Sequence, residues 1–238
     1  MTLRDSQPFS RRALAIFCRA PQRGEVKTRL ARDFGDDFAL DFYCAMLRDS
    51  FALGAALRGF ATVFAYFTAE NALLQTFWSG PELAQPAGDL GHKIRFCFEE
   101  LRARGFAQIA VIGSDSPDLP PDFLRAAFEA VQTPHALALG AAHDGGFWGL
   151  AANGALPKPI FEGVSWGGSE VAAQIRRNLA TQNIALRELA AWRDVDDADD
   201  LRALQARLLA PHASPEIAPH TREFLAKFHA ISSESMAA

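Results

Sequence analysis

Short apolar runs alternate along the chain with longer segments whose apolar residues recur every three or four positions. Runs of the first kind predict buried strands, and segments of the second kind predict amphipathic helices. The predicted strands are residues 13–18, 62–67, 109–112, 136–141, 147–151 and 184–186. The predicted helices are 36–58, 71–78, 92–104 and 221–230, with three more that begin at Pro121, at Ser169 as a cap, and after Asp197. This alternation predicts an α/β fold, a doubly wound and mostly parallel sheet with helices on both faces.

Composition agrees with a globular protein. The 238 residues are 49% hydrophobic and 22% charged, close to globular averages. We expect one domain over residues 1–210, followed by a linker with three prolines and a terminal helix or tail over 211–238. No apolar run approaches 18 residues, which predicts no membrane span. Residues 1–12 lack the apolar stretch of a signal peptide, so we expect a cytoplasmic protein.

Charge is unevenly distributed. The net charge is −4, yet residues 1–32 hold eight basic and two acidic groups, leaving −10 for the remainder. The basic residues are Arg4, Arg11, Arg12, Arg19, Arg23, Lys27, Arg29 and Arg32. A basic segment in an acidic protein predicts a local anion site and no nucleic-acid partner.

The loop after the first predicted strand is a candidate phosphate site. In doubly wound sheets, ligands bind in the crevice beyond the carboxyl ends of the strands. Arg19, Lys27 and Arg29 lie in this loop, and a phosphate chain suits both point charges and the guanidinium fork. The spacing is not that of a Walker A loop. A solvated basic loop is the alternative interpretation.

Two acids are candidate metal ligands. Asp115 follows the strand predicted at 109–112, at the same edge of the sheet, and a carboxylate there can bind Mg²⁺ or Mn²⁺. Asp118 is a weaker candidate, because capping of the next helix would also explain it. In the acidic run 194–200, the last three acids are explained by a helix start, and Asp196, next to them, is the candidate. If Asp115 and Asp196 meet, a cation would relieve their repulsion.

Three further motifs allow two interpretations each. Asp144 lies in a turn where it could face a ligand, or it simply belongs to an ordinary hairpin turn. The loop 88–91 could admit a flat base or begin a helix. Residues 163–167 match the G-x-S-x-G elbow of serine hydrolases, but Pro157 and Pro159 stand where that elbow needs a strand, which argues against a hydrolase.

Together these motifs resemble the bacterial DUF2064 family, whose members are glycosyltransferase-A-like and include arsenosugar-biosynthesis-type glycosyltransferases. The resemblance covers about residues 13–208. The motifs that carry it are 27–30, 88–91, 113–119, 144–146, 161–166 and 194–196 followed by 200–201. It implies the nucleotide-diphospho-sugar transferase fold, with a more distant likeness to nucleotidyltransferases.

The resemblance also implies roles for particular residues. Arg19, Lys27 and Arg29 would hold phosphates, with Ser114 beside them. Gly88, Asp89 and Gly91 would approach the nucleotide base. Asp115 and Asp196 would bind Mg²⁺ or Mn²⁺. Asp144 would face the sugar or acceptor, acting with Lys27 in catalysis, and residues 163–167 would form an acceptor-side loop.

The expected function is therefore a metal-dependent transferase, most simply a glycosyltransferase that uses a nucleotide-sugar donor and a small-molecule acceptor. One alternative is a nucleotidyltransferase that releases pyrophosphate from a nucleoside triphosphate. Another is a non-catalytic nucleotide-binding module. Departures from the family motifs at Ser116, Phe147-Trp148 and 166–169 lie toward the expected acceptor pocket, so the identity of the acceptor stays open. The sequence does not indicate the oligomeric state.

Overall fold

The computed structural model of the chain describes residues 12–69 and 72–237. Arg4 and Arg11 of the basic segment, and the first residue of the helix predicted at 71–78, lie outside these residues. The described strands are β1 (Arg12–Cys18), β2 (Thr62–Phe67), β3 (Glu82–Ala84), β4 (Gln108–Gly113), β5 (Leu137–Ala142), β6 (Phe147–Asn153) and β7 (Arg187–Trp192). The described helices are α1 (Thr28–Phe34), α2 (Asp36–Ala55), α3 (Ala72–Gln75), α4 (Leu90–Ala103), α5 (Pro121–Ala130), α6 (Val171–Ala180), α7 (Ala198–Leu208) and α8 (Pro219–Ala237), with a 3₁₀ helix at Lys158–Phe161.

The strands form one seven-stranded sheet in the order β3-β2-β1-β4-β6-β5-β7. Only β6 runs antiparallel to its neighbours within this sheet. The predicted doubly wound, mostly parallel α/β architecture is therefore confirmed. Because β1, β2, β4, β5 and β7 point the same way, the loops after them meet at one edge of the sheet.

Helices cover both faces of this sheet, as alternate positions of β1 show. Leu14 and Ile16 belong to a core on the face covered by α2 and α5. Ala13 and Ala15 belong to a second core, on the face covered by α4 and α6. Central strands buried on both faces read as continuous apolar runs, which is why β1, β2 and β4 are easy to predict from sequence.

The last helix packs onto the body of the protein. Phe42 of α2 and Leu225 of α8 belong to a third apolar cluster that also includes residues of α1 and α7. The buried carboxylate of Asp49 in α2 accepts the backbone N–H groups of His220 and Thr221, at 3.1 and 2.7 Å. Asp49 thus satisfies free N–H groups at the start of α8, the task of a capping residue.

The structure differs from the predicted elements in several places. It contains α1 and β3, neither of which is among the predicted elements. The last strand is 187–192 rather than 184–186. It is an edge strand whose residues are largely exposed, so burial does not mark it. Ser169 does not cap α6, which starts after Glu170 without a side-chain cap.

Among residues 12–69 and 72–237, no helix combines the length and the apolar character needed to span a lipid bilayer.

Candidate active site

A cavity of about 470 Å³ lies at the carboxyl edge of the sheet, where the loops after β1 and β4 meet. Arg19 and Lys27 line it from the loop after β1, and Arg29 lines it from α1. Ser114 and Asp115 line it from the loop after β4. The crevice expected from the topology is therefore present and carries both cations and carboxylates.

Lys27 lies between two acids that are distant in the sequence. Its Nζ is 2.5 Å from Oδ1 of Asp115 and 3.0 Å from Oδ1 of Asp196, and it donates to the carbonyl of Val195 at 2.6 Å. The Lys27 side chain is 5% exposed. Burial acts to lower the pKa of Lys27, but the two carboxylates outweigh it, and the pKa is raised above its ordinary value. The lysine is thus held as a charged group.

Local backbone structure fixes these partners. Lys27 has φ 44° in the left-handed region and stands directly before α1, so the chain turns sharply there. The backbone N–H of Val195 donates to the carbonyl of Asp115 at 3.0 Å. The Val195 side chain is fully buried in the cluster of α1, α2, α7 and α8. A hydrogen bond and an apolar anchor therefore hold the segment that carries Asp196.

A trio of carboxylates lies beside this lysine. Asp144, Asp194 and Asp196 each contribute an oxygen, and the three oxygens lie within 4.8 Å of one another. The pKa of Asp194 is raised to about 6, first by burial and then by the charge of Asp144. Close carboxylates in a partly buried setting are the donor set that Mg²⁺ or Mn²⁺ prefers. The residues present therefore fit a divalent cation.

The predicted ligand pair and this trio overlap only in part. The structure brings Asp115 and Asp196 together on Lys27, but Asp115 does not belong to the trio. Asp144, expected to face the acceptor, does belong to it. The turn after β5 is a hairpin turn between β5 and β6, and Oδ1 of Asp144 accepts the N–H of Gly146 at 2.7 Å.

The arginines near Lys27 differ in whether their charge is exposed at the cavity or paired with acids elsewhere. Arg19 and Arg29 are exposed and line the cavity, with Nη1 of Arg29 4.0 Å from Asp196. Arg23 instead pairs with Asp36 and Asp37. The guanidinium groups of Arg19 and Arg29 are thus the exposed positive charges of the loop that lie at the cavity.

Ser114 and Tyr43 join the loops after β1 and β4. The backbone N–H of Arg19 donates to the Tyr43 hydroxyl at 2.8 Å, and that hydroxyl lies 3.4 Å from the hydroxyl of Ser114. Burial raises the pKa of Tyr43 far above its ordinary range, so the phenol stays neutral. Both side chains are buried and both line the cavity.

The segment 88–91 forms the start of α4. Asp89 accepts the backbone N–H of His92 at 2.8 Å and is the N-cap. A Cβ at Gly91 would lie 2.6 Å from the ring of Trp166, so this glycine is needed for packing. Among the described residues, Leu90 and Ile94 line the cavity, whereas Gly88, Asp89 and Gly91 do not. This geometry favours the helix-start interpretation; the approach to a base stays a prediction.

Sequence reasoning did not single out Asp194, Tyr43 or Gln85. The sequence did contain a signal for Asp194. In an extended segment, side chains two residues apart point to the same side of the chain, so Asp194 and Asp196 on either side of an apolar residue predict two neighbouring carboxylates. Gln85 had none: its Nε2 donates to the carbonyls of Cys18 at 3.2 Å and Tyr66 at 2.7 Å. It thereby ties the ends of β1 and β2 at the cavity wall.

Asp118 and residues 163–167 do not line the cavity, and the acceptor-side role of 163–167 stays a prediction. Asp118 neither caps α5, whose N-cap is Pro120, nor lines the cavity. It accepts hydrogen bonds from Trp192 Nε1 at 3.2 Å and Arg207 Nε at 2.9 Å. The G-x-S-x-G motif follows the 3₁₀ helix instead of a strand, as the argument against a hydrolase requires.

The fold and the site define the class of the protein: it has the architecture of the nucleotide-diphospho-sugar transferase superfamily. Residues 54–168 match the family described as "Uncharacterized protein conserved in bacteria (DUF2064)", which confirms the predicted resemblance over that part of the chain. The motifs at 27–30 and 194–196 lie outside the matched residues. A candidate nucleotide-diphospho-sugar transferase from Desulfovibrio desulfuricans G20 is 26% identical with a TM-score of 0.81. The match covers 94% of this chain and 98% of that one.

Two more distant structures share the fold alone. A cytidylyltransferase from Leptospira borgpetersenii is 15% identical with a TM-score of 0.53, over 93% of this chain and 96% of that one. CMP:2-keto-3-deoxy-manno-octonic acid synthetase, in complex with CTP, is 12% identical with a TM-score of 0.53, over 84% of this chain and 100% of that one. No curated protein matches the sequence.

Proposed function

We propose that the protein is a metal-dependent transferase that takes a nucleotide-diphospho-sugar as donor and a small molecule as acceptor. The observation that carries this proposal is the meeting of Lys27 with Asp115 and Asp196, next to the acid trio, at the wall of a 470 Å³ cavity. The likeness to the Desulfovibrio protein over nearly the whole of both chains supports the same class.

The trio of Asp144, Asp194 and Asp196 would hold Mg²⁺ or Mn²⁺. When bound, the cation supplies positive charge to the diphosphate of the donor. We assign Asp144 to the cation because its oxygen lies within the trio; its acceptor-facing role remains a prediction. The raised pKa of Asp194 is consistent with a site in which the acids repel one another unless a cation balances them.

The exposed guanidinium groups of Arg19 and Arg29 would bind the phosphates. Both line the cavity and both are exposed. Arg29 would exchange its 4.0 Å contact with Asp196 for the phosphate. Negative charge grows on the diphosphate as the sugar leaves, so cations that contact the diphosphate stabilise the transition state more than the ground state.

A nucleotidyltransferase is the second candidate function. Three cations that line the cavity (Arg19, Lys27 and Arg29) would suit a triphosphate, and the fold is shared with a cytidylyltransferase. In this reaction an acceptor would attack the α-phosphate, and pyrophosphate would leave.

The test separates the two reactions by their products. The protein is incubated with Mn²⁺ and UDP-, GDP- or dTDP-sugars, and separately with free nucleoside triphosphates, across a panel of small acceptors. Release of a nucleoside diphosphate supports the glycosyltransferase, and pyrophosphate from a triphosphate supports the second candidate instead. Nucleotide binding without either product would favour a non-catalytic module. Asp196→Asn is the matched inactive control.

A further inference from the structure

We propose that Lys27 is an internal counter-ion of the acid site, which competes with the divalent cation for Asp196 and so keeps cation binding weak until an anionic ligand engages the lysine. This inference rests on the proposed function for the existence of the cation site. It adds a regulation of that site, in which cation and diphosphate bind cooperatively.

The first step concerns the hydrogen-bonding capacity of the lysine. An ammonium group has three N–H donors and no acceptor. Nζ of Lys27 has three oxygen partners, on Asp115, Asp196 and the carbonyl of Val195, at 2.5, 3.0 and 2.6 Å. With all three donors used and the side chain 5% exposed, Lys27 in this arrangement has no donor left for a phosphate. The role predicted for it from the resemblance therefore requires it to exchange partners.

The second step concerns the shared carboxylate. Asp196 is a partner of Lys27 and also a member of the trio with Asp144 and Asp194. A cation held by the trio and the ammonium of Lys27 would draw on the same carboxylate. Two positive charges near one another repel, and the repulsion is strongest where water is excluded. Lys27 in its present position therefore opposes cation binding.

The third step concerns what releases the lysine. Diphosphate oxygens are strong acceptors for an ammonium group, and Lys27 lines the same cavity as Arg19 and Arg29. An anion that draws Nζ toward itself frees Asp196 for the cation. By linkage, the cation must strengthen anion binding by the same factor as the anion strengthens cation binding.

Direct measurement of Mn²⁺ binding tests this inference without any turnover. Free Mn²⁺ is counted by electron paramagnetic resonance during titration of the wild type, Lys27→Met and Lys227→Met. Lys227 is an exposed lysine paired with Glu223 on α8, remote from the cavity, and serves as the matched control. We expect Lys27→Met to bind Mn²⁺ at least about tenfold more tightly than the wild type, and Lys227→Met to be unchanged.

The outcomes separate this inference from the proposed function. If the wild type binds Mn²⁺ and Lys27→Met binds it no more tightly, the counter-ion role is wrong and the cation site stands. If neither protein binds Mn²⁺, the cation site and the counter-ion role both fail. If Lys27→Met is unfolded without Mn²⁺ but shows a cooperative thermal transition when Mn²⁺ is added, the result supports the inference. Failure of both Lys27→Met and Lys27→Gln to fold in excess Mn²⁺ would overturn it.

Discussion

The backbone N–H of Val195 donates to the carbonyl of Asp115 at 3.0 Å, so the chain segments carrying the acids of the site are joined directly. The carbonyl of Val195 accepts from Lys27 on its other side. The Val195 side chain is completely buried. One apolar residue therefore sets the relative positions of the lysine and the acids around it.

Val195→Ala tests this anchoring. Loss of a fully buried branched side chain should lower the free energy of unfolding by about 2 kcal/mol, and the loosened segment should bind Mn²⁺ more weakly. Urea unfolding and Mn²⁺ titration measure the two effects. Val131→Ala, equally buried at the end of α5 and outside the cavity, is the control. It should lose similar stability and keep Mn²⁺ binding; an equal loss of binding in both variants would contradict the anchoring role.

Asp118→Ala should be strongly destabilising. Asp118 is 4% exposed and accepts from both Trp192 and Arg207. Its removal leaves the guanidinium of Arg207 partly buried without its carboxylate, which costs about 3 kcal/mol of unfolding free energy. Chemical denaturation measures the loss. Asp122→Ala, on the exposed first turn of α5, should lower the free energy of unfolding by less than about 1 kcal/mol. Equal losses in the two variants would show that the buried pair of Asp118 and Arg207 does not stabilise the protein more than an exposed acid does.

The parts of the fold that sequence predicts well are those with a uniform environment. Strands β1, β2 and β4 are buried on both faces, so their apolar runs are continuous. The capping box of Asp197 and Asp200 marks the start of α7 as clearly in the sequence as in the structure. By contrast, β3 has three residues and β7 is an exposed edge strand. Their positions are set by pairing with neighbours, which local patterns do not encode.

The candidate site divides in the same way. The carboxyl-edge location of Asp115 and of the basic loop follows from topology, which the alternation of elements predicts. Whether Asp115 and Asp196 meet depends on the tertiary contact through Val195, about which spacing says nothing. The trio of Asp144, Asp194 and Asp196 likewise needs the β5–β6 turn to lie against the segment after β7. The sequence thus predicts which edge of the sheet carries the site, whereas tertiary packing determines which side chains meet there.

Gly145→Ala should disturb the turn that carries Asp144. Gly145 has φ +92°, and an added Cβ would lie 1.7 Å from the carbonyl oxygen of Ser169, so backbone must move. Gly167→Ala is the matched control, since its φ is +84° but nothing lies within 4 Å of its Cβ. The control should lose only about 1–2 kcal/mol for the left-handed backbone.

Calorimetric melting and Mn²⁺ titration distinguish the two glycine variants. Gly145→Ala should melt at a lower temperature than Gly167→Ala and should bind Mn²⁺ more weakly than the wild type. Gly167→Ala should bind Mn²⁺ as the wild type does. Unchanged Mn²⁺ affinity in a folded Gly145→Ala protein would exclude Asp144 from the cation site.

Asp194→Asn should stabilise the protein when no cation is present and remove the stabilisation that a cation gives. Burial and the charge of Asp144 both oppose ionisation of Asp194 and raise its pKa to about 6, so at pH 7.5 its ionised form is held at a cost in the folded state. An amide of the same shape removes that cost. The wild type in Mn²⁺ should gain melting temperature by mass action, because the ion binds the folded state.

The measurement is thermal unfolding at pH 7.5 in EDTA and again in Mn²⁺. Relative to the wild type, Asp194→Asn should melt higher in EDTA and gain little from Mn²⁺. Asp41→Asn, an exposed position on α2, should show neither change. A drop in melting temperature of Asp194→Asn in EDTA would mean that the carboxylate is stabilised by its surroundings, and an unaltered Mn²⁺ response would remove Asp194 from the ligand set. A higher melting temperature in EDTA together with a smaller gain from Mn²⁺ is expected of an acid cluster that binds a cation and destabilises the cation-free protein.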